Sequence, residues 1–71
     1  MKGPKNRLRV IRADKGVSQL DVAMKAGVKE YRYWRIENRY VIPTDDERDA
    51  IAKALKVSVA DVFPDSVAGA A

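Results

Sequence analysis

Apolar residues recur along the chain at helical spacing, and the gaps between the repeats hold helix start and stop signals. Lys5 to Lys15 places Leu8 and Ile11 three apart and runs into Gly16, a residue suited to the left-handed position that ends a helix. Ser18-Gln19-Leu20-Asp21 reads as an N-cap with an acid at the third helical position, where it can reach back to the cap amide. The helix it opens turns Val22, Ala23 and Ala26 inward and closes at Gly27. A tight turn around Gly27-Val28 leads into a third helix that extends to about Asn38, with Val28, Tyr33 and Ile36 on its inner side. Pro43 disfavours helix at the residue before it, and Thr44-Asp45-Asp46-Glu47 then forms a second capping sequence. Behind it Ile51, Ala52 and Leu55 make a core stripe. Ser58-Val59-Ala60-Asp61 repeats the cap before a short last turn ending at Phe63-Pro64. No alternating run long enough for a strand occurs. The pattern predicts an all-α domain of four helices and a short fifth over residues 1–64, with 65–71 a disordered tail.

Composition narrows the chemistry. The 71 residues make one domain with a small core, since so short a chain buries only about 60% of its unfolded surface. There is no cysteine and no histidine, which excludes disulfides, thiolate metal sites, thiol nucleophiles and imidazole bases. No apolar run approaches the roughly 20 residues that cross a bilayer, and Met1-Lys2-Gly3-Pro4-Lys5 has no apolar stretch behind it. The expectation is a cytoplasmic protein that is not an enzyme and needs no cofactor or metal. The acids Asp45, Asp46, Glu47 and Asp49 cluster at one helix start, where capping and the helix dipole account for them.

Charge divides the chain. Residues 1–40 hold 11 Lys+Arg against 4 Asp+Glu, whereas residues 41–71 hold 3 against 6. A basic first half beside an acidic remainder points to a face that meets a polyanion, although solvated helices also carry charge. What gives the charge a context is the spacing of helices two and three. A capped helix, a glycine turn and a second helix make a helix-turn-helix unit, in which the first helix crosses the DNA backbone and the second enters the major groove.

These residues resemble a known family. Arg12, Gly16-Val17-Ser18-Gln19, Val22-Ala23, Gly27-Val28, Tyr33, Ile36-Glu37-Asn38, Pro43, and Ala52 through Leu55 to Val57 are similar to the phage repressor and Cro (XRE-type) helix-turn-helix regulators, over roughly residues 6–63. The resemblance implies a compact five-helix, lambda-repressor-like domain acting as a homodimer on a palindromic operator. It also implies a structural ion pair between Arg12 and Glu37, which periodicity would not have shown. Two places depart from the family. Arg39-Tyr40 stands where a glycine and a basic residue are usual, so either Asn38 takes the left-handed conformation or the helix runs on; and Trp34 replaces a small or polar residue.

With Tyr33 and Ile36 assigned inward, a helical wheel at about 100° per residue turns Tyr31, Trp34 and Arg35 outward. Arg35 can bind guanine through O6 and N7, and Tyr31 can meet a thymine methyl or donate to a phosphate. Glu30 either accepts from cytosine N4 or only favours the helix dipole. Trp34 either reads DNA or forms a protein contact. Ser18 and Gln19 at the start of helix two, with Lys29, Arg32 and Arg39, are the expected phosphate contacts, which fix register without reading sequence. Val57, Val59, Val62 and Phe63 exceed what a short last helix needs for its own packing and are the expected dimer surface. The alternative is a protein-interaction module, or an antitoxin or restriction-modification controller, on the same fold. A membrane-lying helix is set aside because Lys29, Glu30, Arg32 and Arg35 interrupt the aromatic residues. No small-molecule effector is expected, since no effector domain accompanies the helices.

Overall fold

Capping chemistry sets where each helix begins. In a computed structural model that describes residues 5–64, the order is α1 (Leu8–Lys15), α2 (Gln19–Ala26), α3 (Glu30–Glu37), α4 (Asp45–Leu55) and α5 (Val59–Val62), with no strand among the described residues. Ser18, Thr44 and Ser58 each accept from the amide three residues on, and Asp21, Glu47 and Asp61 reach back to the cap amides. Each box satisfies helix-end donors that would otherwise need water. α1 starts three residues later than the apolar spacing suggests. Asn6 explains this, because its Oδ1 accepts from the Leu8 amide while its Nδ2 donates to the carbonyls of Ile36 and Glu37. The α1 entry is thereby tied to the end of α3. α3 is likewise shorter than 28–38, since Lys29 and Asn38 are its caps. The expected tail lies outside the described residues.

The first four helices stop in the same way. A left-handed residue donates its amide to the carbonyl three back, and the next residue donates to the carbonyl five back. Gly16 and Gly27 fill that position after α1 and α2, with φ of 66° and 71°. After α3 it is Arg39 (φ 66°), and after α4 it is Lys56 (φ 59°). This corrects the expectation for the α3 exit: Asn38 stays at φ −88°, and neither it nor a longer helix substitutes for the missing glycine. Arg39 itself is left-handed. A side chain in this region carries a steric cost that glycine avoids. Lys56→Gly should therefore raise stability by about 0.5–1 kcal/mol, lifting the thermal midpoint by a few degrees. An unchanged or lowered midpoint would show that Lys56 contributes through its side chain.

The core joins all five helices. Leu8 and Ile11 of α1, Val22 and Ala23 of α2, Tyr33 and Ile36 of α3, Ile51, Ala52 and Leu55 of α4, and Val62 and Phe63 at α5 form one buried cluster. Arg7 donates its amide to the Val62 carbonyl and closes the two ends of the described chain onto each other. The burial of Val62 and Phe63 corrects their assignment to a dimer surface. Both are 0% exposed, because the small core needs Phe63 as one of its largest fillers. Val57 and Val59 are partly buried and pack against the same cluster.

Candidate nucleic-acid interface

Gly27 decides how α3 is presented. Its left-handed conformation turns the chain sharply between α2 and α3, and the Val28 amide donates to the Ala23 carbonyl. Tyr33 and Ile36 then face the core at 0% and 1% exposure, while Tyr31 is 69% and Trp34 40% exposed. One helix is thus split lengthwise into an anchored side and an outer side.

The anchor is a polar network centred on Glu37, whose side chain is 1% exposed. Arg12 reaches from α1 with Nε to Oε1 at 2.8 Å and Nη2 to Oε2 at 2.9 Å, and its Nη1 donates to the Val17 carbonyl. The Tyr33 hydroxyl donates to Oε1 at 3.0 Å, and Gln19 Nε2 donates to Oε2 at 3.0 Å. Arg9 adds a longer contact, with Nε 3.6 Å from Oε2, and donates through Nη2 to Asn38 Oδ1. Helices α1, α2 and α3 therefore meet at a single carboxylate. Burial works to raise the Glu37 pKa, but the hydrogen bonds from Arg12, Tyr33 and Gln19 and the Arg12 charge outweigh it, so the carboxyl is held below its ordinary range. The hydrogen bond to Glu37 raises the already high pKa of Arg12. Burial, reinforced by the Glu37 charge, pushes the Tyr33 phenol far above its usual value. The site holds fixed charges that do not titrate near neutrality, which suits positioning and not proton transfer.

On the outer side, Lys29 caps the start of α3 and is exposed, as is Glu30 beside it. The Arg35 guanidinium lies 5.6 Å from the centre of the Tyr31 ring, a cation–π contact that holds it on this face. Ser18 is exposed at the α2 start with its hydroxyl engaged by the Asp21 amide. Gln19 is half-buried and is a link between helices as well as a candidate phosphate ligand.

Arg32 is turned elsewhere. It makes a two-pronged bond to Glu47, both arms at 3.0 Å, and a longer one to the Ile42 carbonyl. The Glu47 hydrogen bonds raise the Arg32 pKa, and Arg32 in turn lowers that of Glu47. This pairing with the cap acid of α4 competes with the phosphate contact expected of Arg32. Because the pair is partly exposed, Arg32→Ala should cost only about 0.5–1 kcal/mol of stability. The same variant should leave the salt dependence of DNA binding unchanged. A slope reduced by about one would return Arg32 to the phosphate contacts.

Residues 6–62 match the family described as "Helix-turn-helix domain". The chain belongs to the helix-turn-helix domain family. A crystal structure described as a hypothetical transcription factor NHTF from Neisseria superposes with a TM-score of 0.73 at 21% identity, covering 92% of this chain and 77% of that one. At that identity the likeness concerns the fold. Curated proteins yield no match. Within this helix-turn-helix domain, α2 and α3 are the two helices of the unit, and the outer side of α3 is the second helix's exposed face.

One further residue joins that face, which the sequence marked only as a departure from the family. Tyr40, 58% exposed, stacks on Trp34 with ring centres 5.4 Å apart and an angle of 22°. Trp34 in turn stacks on Tyr31 at 6.3 Å and 11°. The signal was present in the turn. When the residue after the left-handed position donates to the carbonyl five back, its side chain commonly folds onto the last turn of the helix. Tyr40 does so, with its amide on the Arg35 carbonyl at 2.8 Å.

Proposed function

We propose that this helix-turn-helix protein is a sequence-specific double-stranded DNA-binding transcriptional regulator that lays α3 in the major groove. The observation that carries the reading is the division of α3: Tyr33, Ile36 and Glu37 are locked inward while Tyr31 and Trp34 stand outward, with a half-buried Arg35 held beside the Tyr31 ring, behind an exposed Lys29. A helix held this rigidly can offer side chains to base edges with little ordering cost on binding. Arg35 is assigned to guanine, Tyr31 and Trp34 to apolar and edge contacts, and Glu30 to a cytosine amine. Lys29, Ser18 and Gln19 hold phosphates, as does Arg39 at the far end of the helix. The family points to DNA binding and away from catalysis.

The protein acts as a Cro- or repressor-like homodimer on a palindromic operator, with half-sites about 34–36 Å apart. With Val62 and Phe63 interior, the exposed edges of Val57 and Val59 are what the last helices have left for a second copy. Selection of bound duplexes from random DNA tests the whole reading. The expected product is a two-fold symmetric sequence, bound with an affinity that falls steeply with salt. Recovery of no preferred sequence at any salt concentration would overturn it, and sedimentation showing monomer alone on and off DNA would remove the dimer.

A further inference from the structure

The aromatic ladder exceeds what reading a paired duplex requires. In a duplex the faces of the bases are covered by one another, and a major-groove helix meets only their edges and the thymine methyl groups. Three nearly parallel rings in succession, Tyr31, Trp34 and Tyr40, instead present flat apolar surfaces with exposed margins. A left-handed Arg39 holds the turn that brings the third ring onto the second. Positive charge runs alongside. Lys29 stands at the start of α3, Arg35 lies over the Tyr31 ring, and Arg9 sits at the helix end on Asn38. A shallow cleft of about 290 Å³, lined by Gln19, Glu30, Tyr31 and Trp34, opens beside the first two rings. Flat rings flanked by cations are the chemistry that holds single-stranded nucleic acid.

We propose that the Tyr31–Trp34–Tyr40 ladder is a stacking site for unpaired nucleobases, so that this face also grips a single-stranded or locally melted DNA strand. The proposal rests on the assignment of this face to nucleic acid and names a further ligand for it. The cations bind the backbone, and the exposed margins and outer ring faces of the ladder take the bases, with the Tyr31–Trp34 pair beside the cleft. Glu30 in that cleft is a hydrogen-bond acceptor, so a base with an exocyclic amine, such as cytosine, fits better than thymine.

Trp34 is the only tryptophan and reports directly on the ladder. The experiment titrates the full chain with short oligo(dC) and, at equal length and charge, with a strand of abasic residues. Base stacking should quench Trp34 emission and give oligo(dC) an affinity roughly fivefold to a hundredfold above the abasic strand. Tyr40→Ala should lose most of that margin and Tyr40→Phe should keep it, with both thermal midpoints near that of the parent. Equal binding of the two strands overturns the proposal; if selected duplexes still bind, the duplex reading stands, and if no nucleic acid binds, both fall. Trp34 emission that shifts with protein concentration alone, and self-association that Tyr40→Ala abolishes, would show a second copy of the chain on the ladder and also overturn it.

Discussion

Glu37→Ala is expected to be the most damaging single substitution in this chain, removing about 3–5 kcal/mol of stability. A domain of this length has roughly 4–10 kcal/mol in total, so the variant should lose a third or more of its stability and, at the lower end of that range, be largely unfolded without added denaturant. The reason is the number of groups left behind. Arg12 would stay largely buried without a counter-charge, and the Tyr33 hydroxyl and Gln19 amide would lose their acceptor. A double substitution, Arg12→Met with Glu37→Leu, should recover part of the loss because it removes the stranded charge, although Tyr33 and Gln19 remain unpaired. Urea unfolding of the three proteins measures this directly. A loss below about 1 kcal/mol for Glu37→Ala would mean that the network orients the helices without stabilising them.

The same carboxylate gives the protein an acid limit. Its folded pKa lies below the ordinary carboxylate value, so its contribution is complete above that ordinary value and is lost as pH falls through the folded pKa. Glu47 contributes with the same sign through Arg32 and the Thr44 cap. The urea midpoint should hold level down to about pH 5 and then decline. In Glu37→Gln the decline should be shallower, with the Glu47 share remaining. Tyr33 acts at the other end. Its raised pKa means stability present below the ordinary phenol value and lost as pH rises beyond it.

The second large effect concerns binding. Arg35→Ala should weaken a selected site by roughly fivefold to a hundredfold and leave binding to arbitrary duplexes almost unchanged, because a two-pronged guanine contact discriminates by about 1–3 kcal/mol. Lys29→Ala should weaken all duplexes alike and reduce the salt slope by about one. Neither residue belongs to the buried cluster, so thermal midpoints should hold. The Arg35 effect depends on its position over Tyr31, and Tyr31→Ala should therefore reproduce part of it by freeing the guanidinium. If the Arg35→Ala, Lys29→Ala double variant bound every duplex as the parent does, α3 would not be the recognition helix.

What the sequence by itself determined was the local part of the structure. Serine or threonine followed three residues later by an acid marks the starts of α2, α4 and α5, and Gly16 and Gly27 mark two ends, because caps and left-handed turns are settled among residues a few positions apart. The inward positions Tyr33 and Ile36 and the outward Tyr31 and Trp34 follow from the same short-range period. Other features required the folded chain. Long side chains choose among several distant partners according to how the helices pack: Arg12 finds Glu37 across 25 positions and Arg32 finds Glu47 across 15, so one outwardly similar arginine is interior structure and the other is tied to α4. Burial of Val62 and Phe63 is also a collective outcome, set by the space that α1 and α4 leave to be filled. The ladder lies between these cases. Its first two rings are placed by helical period, but the third depends on Arg39 adopting a left-handed conformation that its residue type disfavours, so no glycine marks that turn in the sequence.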